Sequence, residues 1–233
     1  MANRIHPSAI VGAGVELGDG NVIGPYTVIV GPTRIGDGNW IGPMASIGTP
    51  AEYRAGNHPV GWEGELDGAG VVIGDGNIIR DFVTVNQGVH VTTTVGDNCY
   101  LLARSHVGHD CVLDDLVTLS DNVQLGGHTR VWSWSNIGMG TVVHQYGHIG
   151  PGAMVGMGSA VRKDIAPFMT AVGNPAREVS VNRVGLSRRG CDEEQVDAVE
   201  AYLKNKGDLP VGLPTEIIEQ FAAWLKRSEN VPA

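Results

Sequence analysis

The chain has 233 residues, 42% hydrophobic and 6% aromatic, with 34 glycines and a formal net charge of −9, which suits one large domain with an appendage. The acidic balance shows no basic stripe, so it argues against a nucleic-acid binder and fits poorly with anionic membranes. The opening residues lack the apolar core of a signal peptide, and no apolar run approaches transmembrane length, which predicts a soluble cytoplasmic protein without membrane insertion.

In chain order, branched aliphatics recur every six residues. A first run reads Ile5, Val11, Leu17, Ile23, Ile29, Ile35, Ile41 and Ile47; Ile73, Ile79 and Val85 follow; a third run spans Val95 to Val161. Neither an amphipathic helix nor an alternating strand sustains that period. It is the signature of a hexapeptide β-helix. At three hexads per triangular coil, the repeats make roughly seven to eight stacked coils. Gly, Asn and Asp cluster after the aliphatics, as in Gly36-Asp37-Gly38-Asn39, where tight corners need positive φ; the glycines are read as corner residues. The fifth position is often small (Ala45, Cys99, Cys111, Thr141, Ala153, Ser159), which suits a narrow interior, so Cys99 and Cys111 are read as packing.

The frame breaks in three places. Residues 49–70 leave it in an excursion long enough to be functional or disordered. A short insertion around 89–94 shifts it by four residues. Beyond about 170 it ends: residues 1–171 form the β-helix, and 172–233 a C-terminal helical region. One helix opens at Asp192-Glu193-Glu194 and runs to Gly207, and a second starts at Thr215. These helices are expected to cap the open solenoid end, with subunit association and substrate contact as the other roles.

With 18 residues per coil, His109, Gly127 and Gln145 share a column; Asp110, His128 and Tyr146 share the next; Gly108, Gly126 and His144 the one before. Coils about 4.8 Å apart bring these nine into one patch. A neutral His suits deprotonation of a hydroxyl or amine attacking a thioester. Gly127, one coil above His109, can offer a donor to the oxyanion. The same patch also fits a hydrogen-bonded surface ladder, or a zinc site built from three histidines. His6, His58, His90 and His148 are read as isolated corner residues.

The segments Ser105-His106-Val107-Gly108-His109-Asp110-Cys111, Gly126-Gly127-His128, Val143-His144-Gln145-Tyr146 and Gly185-Leu186-Ser187-Arg188-Arg189-Gly190 occur in order. They resemble the UDP-N-acetylglucosamine O-acyltransferases of lipid A biosynthesis, over nearly the whole chain. The resemblance implies a left-handed parallel β-helix, a homotrimer with active sites between subunits, and an acyl donor on acyl carrier protein phosphopantetheine or CoA, with no tightly bound cofactor and no metal. It makes His109 the general base, Asp110 its acidic partner and Gly127 the oxyanion donor. It puts His128 and Gln145 along the site and His144, Asn182 and Arg188 near the nucleotide; His106 and Arg189 are further substrate-binding candidates. Met157 falls on the acyl-chain ruler, and Glu52 and Arg54 echo acceptor contacts. Val184 stands where the family has an acidic residue, and Asn86-Gln87 where it has His-Arg, so the pattern departs on the acceptor side. A nucleotide-amino-sugar N-acetyltransferase using acetyl-CoA, a zinc-dependent lyase and a non-catalytic scaffold are the alternatives.

Overall fold

A computed structural model of the chain describes residues 1–56, 58, 68–205 and 208–227. Each aliphatic leads a short strand, and the strands lie on three faces that the chain visits in turn. The result is a left-handed parallel β-helix, a hand opposite to the usual crossover rule. Among the described residues the first face has ten strands, the second eight and the third seven. That is slightly more than seven to eight coils, because Met169–Val172 and then the antiparallel strand Arg177–Val181 extend the first face after the period has ended.

Ile23, Ile41, Ile79, Leu101, Leu119, Ile137 and Val155 stand in register down the first face and are buried. Each such burial contributes about 1.5–3 kcal/mol. The small fifth-position residues are buried too. Burial pushes the Cys99 and Cys111 thiols up to about 12, so neither is a thiolate near neutrality. The Gly-Asp-Gly-Asn corners are tied from coil to coil. Asp37, Asp75, Asp97 and Asp115 each accept the backbone N–H of the Asp one coil earlier, at 2.7–2.8 Å. Asn21, Asn39 and Asn77 form a second, buried ladder beside them.

The glycines need a correction. The left-handed corner falls three residues after the aliphatic, and Tyr26, Met44, Phe82, Leu116 and Trp134 occupy it as well as glycines. Hydrogen bonding between coils holds them there: the Met44 N–H donates to Pro25 and the Phe82 N–H to Pro43. The glycine directly after the aliphatic has a different role. A Cβ on Gly24 would lie 2.8 Å from the Gly42 carbonyl carbon of the next coil, so close approach excludes a side chain.

At the C-terminal end Arg177–Val181 pairs antiparallel with Met169–Val172 and closes the edge of the first face. Helix α1 (Arg183–Arg188) follows. Helix α2 (Glu193–Asn205) begins with a capping box, in which Asp192 and Gln195 exchange backbone-to-side-chain hydrogen bonds of 2.8 and 3.0 Å. Gly207, its expected end, lies outside the described residues. Helix α3 (Thr215–Leu225) packs Ile217 and Phe221 with Phe168, Val196 and Val199 in a second core. His148 is not a corner: it begins the strand His148–Ile149, its ring 6.3 Å from that of Trp224 on α3.

Candidate active site

The excursion and the insertion emerge at the same edge of the prism, between the second and third faces. Across them the coil-to-coil step, 18 residues through most of the solenoid, becomes 38 and then 22. The histidine patch lies on this edge. The strands His106–Val107, Gln124–Leu125 and Val142–Val143 run into its three successive corners. Asp110, His128 and Tyr146 take the left-handed position in each, at φ of 59°, 61° and 62°.

His109 Nδ1 lies 2.6 Å from Asp110 Oδ2. The Asp110 side chain is fully buried, and its Oδ1 accepts the backbone N–H groups of Val89, His90 and Val91 at 3.1, 2.7 and 2.7 Å. Burial alone would raise its pKa. The hydrogen bonds from Val91, His109, His90 and Val89 outweigh burial and hold the carboxyl below the usual range. In the neutral imidazole, an ionised Asp110 draws the proton to His109 Nδ1 and so makes Nε2 the ring's acceptor. That nitrogen faces Gly127: a Cβ there would sit 2.6 Å from it, so a side chain at this corner would have to displace the His109 ring. Among the described residues the Gly127 N–H donates to no protein acceptor.

His128 stacks on Tyr146, with centroids 4.4 Å apart, and meets His109 edge-on at 5.0 Å. Burial lowers its pKa despite Asp110 nearby, which favours the neutral ring. His106 contacts the Thr84 hydroxyl at 2.7 Å through Nδ1 and Glu52 at 3.2 Å through Nε2, so the excursion reaches the patch at its first residues. Arg54 is exposed nearby in sequence, and most of the excursion (57 and 59–67) lies outside the described residues. His144 and Gln145 are exposed one coil beyond Gly127, the His144 Nδ1 3.0 Å from the Gln145 carbonyl.

Other expected site residues lie on different edges. Met157, 77% exposed, follows the strand Met154–Val155 at the edge between the first and second faces, one coil from Met139. Asn182 lies at the edge between the third and first faces. It donates to the Gly152 carbonyl at 2.9 Å and caps α1 through the Gly185 N–H at 3.0 Å. On the same side Arg189 stacks over Trp134 at 4.6 Å. Arg188 lines an open hollow of about 410 Å³ between α1 and α2, with Arg183, Val184 and Ser187. One chain therefore gathers His109, Asp110, Gly127, His106, His128, His144, Gln145 and Glu52, but not Met157, Asn182, Arg188 or Arg189.

Sequence reasoning missed His90, assigned as an isolated corner. Its ring stacks on His128 at 5.9 Å, and its N–H holds Asp110. It also missed Thr84, Thr93 and Tyr53, whose ring lies 6.2 Å from His90 and 6.3 Å from His109. The signal was the four-residue slip, in the coil next to the His-Asp pair. His109, Asp110 and His128 offer three atoms within 4.8 Å that could face a metal ion. An ion there would compete with the Nδ1–H bond for Oδ2, and three ligands fall short of a closed zinc site.

The chain matches a family model described as Udp N-acetylglucosamine O-acyltransferase, domain 2, over residues 164–205. It is 42% identical over 137 residues to the acyl-[acyl-carrier-protein]–UDP-N-acetylglucosamine O-acyltransferase of Pseudomonas savastanoi pv. phaseolicola, covering 58% of this chain and 53% of that one. The enzyme of the same name from Stutzerimonas stutzeri is 39% identical over 160 residues, 66% and 62% of the two chains. The sequence match thus spans about half the length of the first relative. The solved UDP-N-acetylglucosamine acyltransferase from Campylobacter jejuni superposes over 95% of both chains, with a TM-score of 0.80 and 29% identity. The resemblance read from the motifs is borne out.

Proposed function

We propose that this chain, a homologue of the UDP-N-acetylglucosamine O-acyltransferases, transfers an acyl group from a carrier thioester to a nucleotide-linked sugar. The observation that carries the reading is the 2.6 Å His109–Asp110 contact, with the free Nε2 facing Gly127. His109 Nε2 takes the proton of the acceptor hydroxyl as its oxygen attacks the thioester carbonyl carbon. The Gly127 N–H donates to the developing oxyanion. The tetrahedral intermediate then collapses, the C–S bond breaks, and the thiolate leaves with the proton returned by His109. No acyl-enzyme is required, since a cleft holding both substrates supplies proximity. Asp110 stays ionised and stabilises the imidazolium formed in between.

The donor is acyl carrier protein phosphopantetheine or CoA; the relatives' names favour the former. The acceptor is UDP-N-acetylglucosamine or a close analogue, with His106, His128, Gln145, Glu52 and Arg54 toward the sugar and His144, Asn182, Arg188 and Arg189 toward the nucleotide. Arg suits bidentate phosphate recognition. No described helix is long and apolar enough to cross a membrane, and we place the enzyme in the cytoplasm. Mass spectrometry of nucleotide sugars incubated with acyl-carrier-protein and CoA thioesters tests the reading. The expected product is an O-acylated nucleotide sugar with one free thiol released; no acylated sugar from any pairing would overturn it.

Because the proposed ruler and Asn182, Arg188 and Arg189 lie on other edges than the base, we propose that a neighbouring copy completes each site in a homotrimer. Trp40, Ile78 and Tyr100 expose an apolar stripe on the first face, with Tyr26, Met44 and Phe82 along its edge. A closed three-fold assembly would cover such faces. Light scattering is expected to give three times the chain mass, and a monomer at micromolar concentration would sink the shared cleft. In that cleft Met157 ends the acyl groove and favours a short or medium chain, with some give because Met is flexible. Met157→Gly is expected to shift preference toward longer donors, since each buried methylene contributes about 0.8 kcal/mol. Coincident chain-length profiles would show that the ruler lies elsewhere.

A further inference from the structure

The four-residue slip could have been an ordinary surface loop, yet three successive backbone donors turn inward. The N–H groups of Val89, His90 and Val91 converge on one oxygen, Asp110 Oδ1. Successive N–H groups of this kind make a nest for an anion, and here the occupant is a carboxylate of the next coil. Gly88 closes the turn. It bridges Gly70 across the coil, its N–H donating to the Gly70 carbonyl at 3.1 Å. A Cβ on Gly88 would strike the Val91 carbonyl oxygen, with the carbonyl carbon at 2.7 Å. Thr93 ends the turn fully buried, and its hydroxyl accepts the Asp110 N–H at 2.9 Å. Asp110 is thus held at its left-handed backbone by Thr93 and at one carboxylate oxygen by the nest, leaving Oδ2 for His109.

We infer that the turn from Gly88 to Thr93 positions the base, with Thr93 and Gly88 as its positioning residues, acting through Asp110 on the orientation of His109. The kinetic part rests on the acyl-transfer reading; the structural part does not. The groups facing Asp110 are His109 beside it, His128 with Nε2 3.7 Å from Oδ2, and His90 through its N–H.

The test compares Thr93→Val, Thr93→Ser and Gly88→Ala with the wild type. The first readout is the downfield NMR resonance of the His109 Nδ1 proton, which reports the bond to Asp110 whether or not the chain transfers acyl groups. The second is kcat and KM. Thr93→Ser, which keeps the hydroxyl, is expected to retain the resonance and kcat. Thr93→Val and Gly88→Ala are expected to lose the resonance and to lower kcat roughly tenfold to hundredfold at unchanged KM. If both keep the resonance and kcat and merely melt earlier, the turn is only structural and the inference fails. If the resonance responds as expected but the wild type acylates no sugar, positioning stands and the acyl-transfer reading falls. Should neither variant fold, amide exchange in the wild type decides: slow, concerted exchange at Val89, His90 and Val91 supports the nest, and fast exchange overturns it.

Discussion

Replacing His109 by alanine is expected to lower kcat by roughly 10²–10⁴-fold, the usual contribution of a positioned general base, while the chain keeps its fold. The fold survives because His109 belongs to neither hydrophobic core. Its ring lies on the outer side of the corner, against Gly127. The variant removes one hydrogen bond to a buried carboxylate, but the three backbone donors on Oδ1 remain. A stability loss of about 1–3 kcal/mol is the expected scale for disturbing such a bond. Steady-state kinetics and a melting curve check the two halves together. Near-wild-type turnover with a hydroxyl acceptor would remove His109 from the role of base. Residual activity in the variant is expected to reflect the oxyanion donor and substrate proximity, neither of which the mutation touches.

The period of six was legible because each branched aliphatic enters the same narrow interior, and a six-residue repeat has few other physical readings. That same period brings His109, Gly127 and Gln145 together from the sequence alone, since residues 18 apart must stack. It failed where backbone rather than side chains does the work. Val89, His90 and Val91 hold Asp110 through their N–H groups, which every non-proline residue carries, so no residue type announces them. Glu52 reaches His106 from a segment with no period, and nothing in its spacing could predict that contact. The glycines directly after the aliphatics were misread for a related reason, whereas Gly20, Gly38 and Gly76 do take the positive φ of a corner. Positive φ at Tyr26 or Leu116 is set by hydrogen bonding between coils, whereas Gly24 is glycine because the next coil passes too close. The antiparallel strand Arg177–Val181 and helix α1 follow the end of the repeat, where local pattern competes with tertiary packing.

Asp110→Asn is expected to lower kcat by about 10³–10⁴-fold, as loss of the tautomer-setting carboxylate does in the serine-protease triad. Geometry gives the reason. If the amide oxygen takes the three backbone donors now on Oδ1, the amide nitrogen must face His109 Nδ1, where an acceptor now sits at 2.6 Å. A donor there pushes the His109 proton to Nε2, the atom that should take the proton from the acceptor hydroxyl. If the amide is flipped instead, its nitrogen meets three N–H groups, which costs more. The variant therefore keeps its histidine and loses its base. Stability supplies an independent check. The folded-state pKa of Asp110 is depressed, so its contribution is present above the usual carboxylate pKa and is lost as pH falls through the lowered value. Wild type is expected to be more stable than Asp110→Asn at neutral pH, with the difference closing in acid. A constant difference down to the acid limb would mean that the carboxylate is not held by charge-assisted bonds. Activity close to wild type would mean that His109 takes its tautomer from elsewhere.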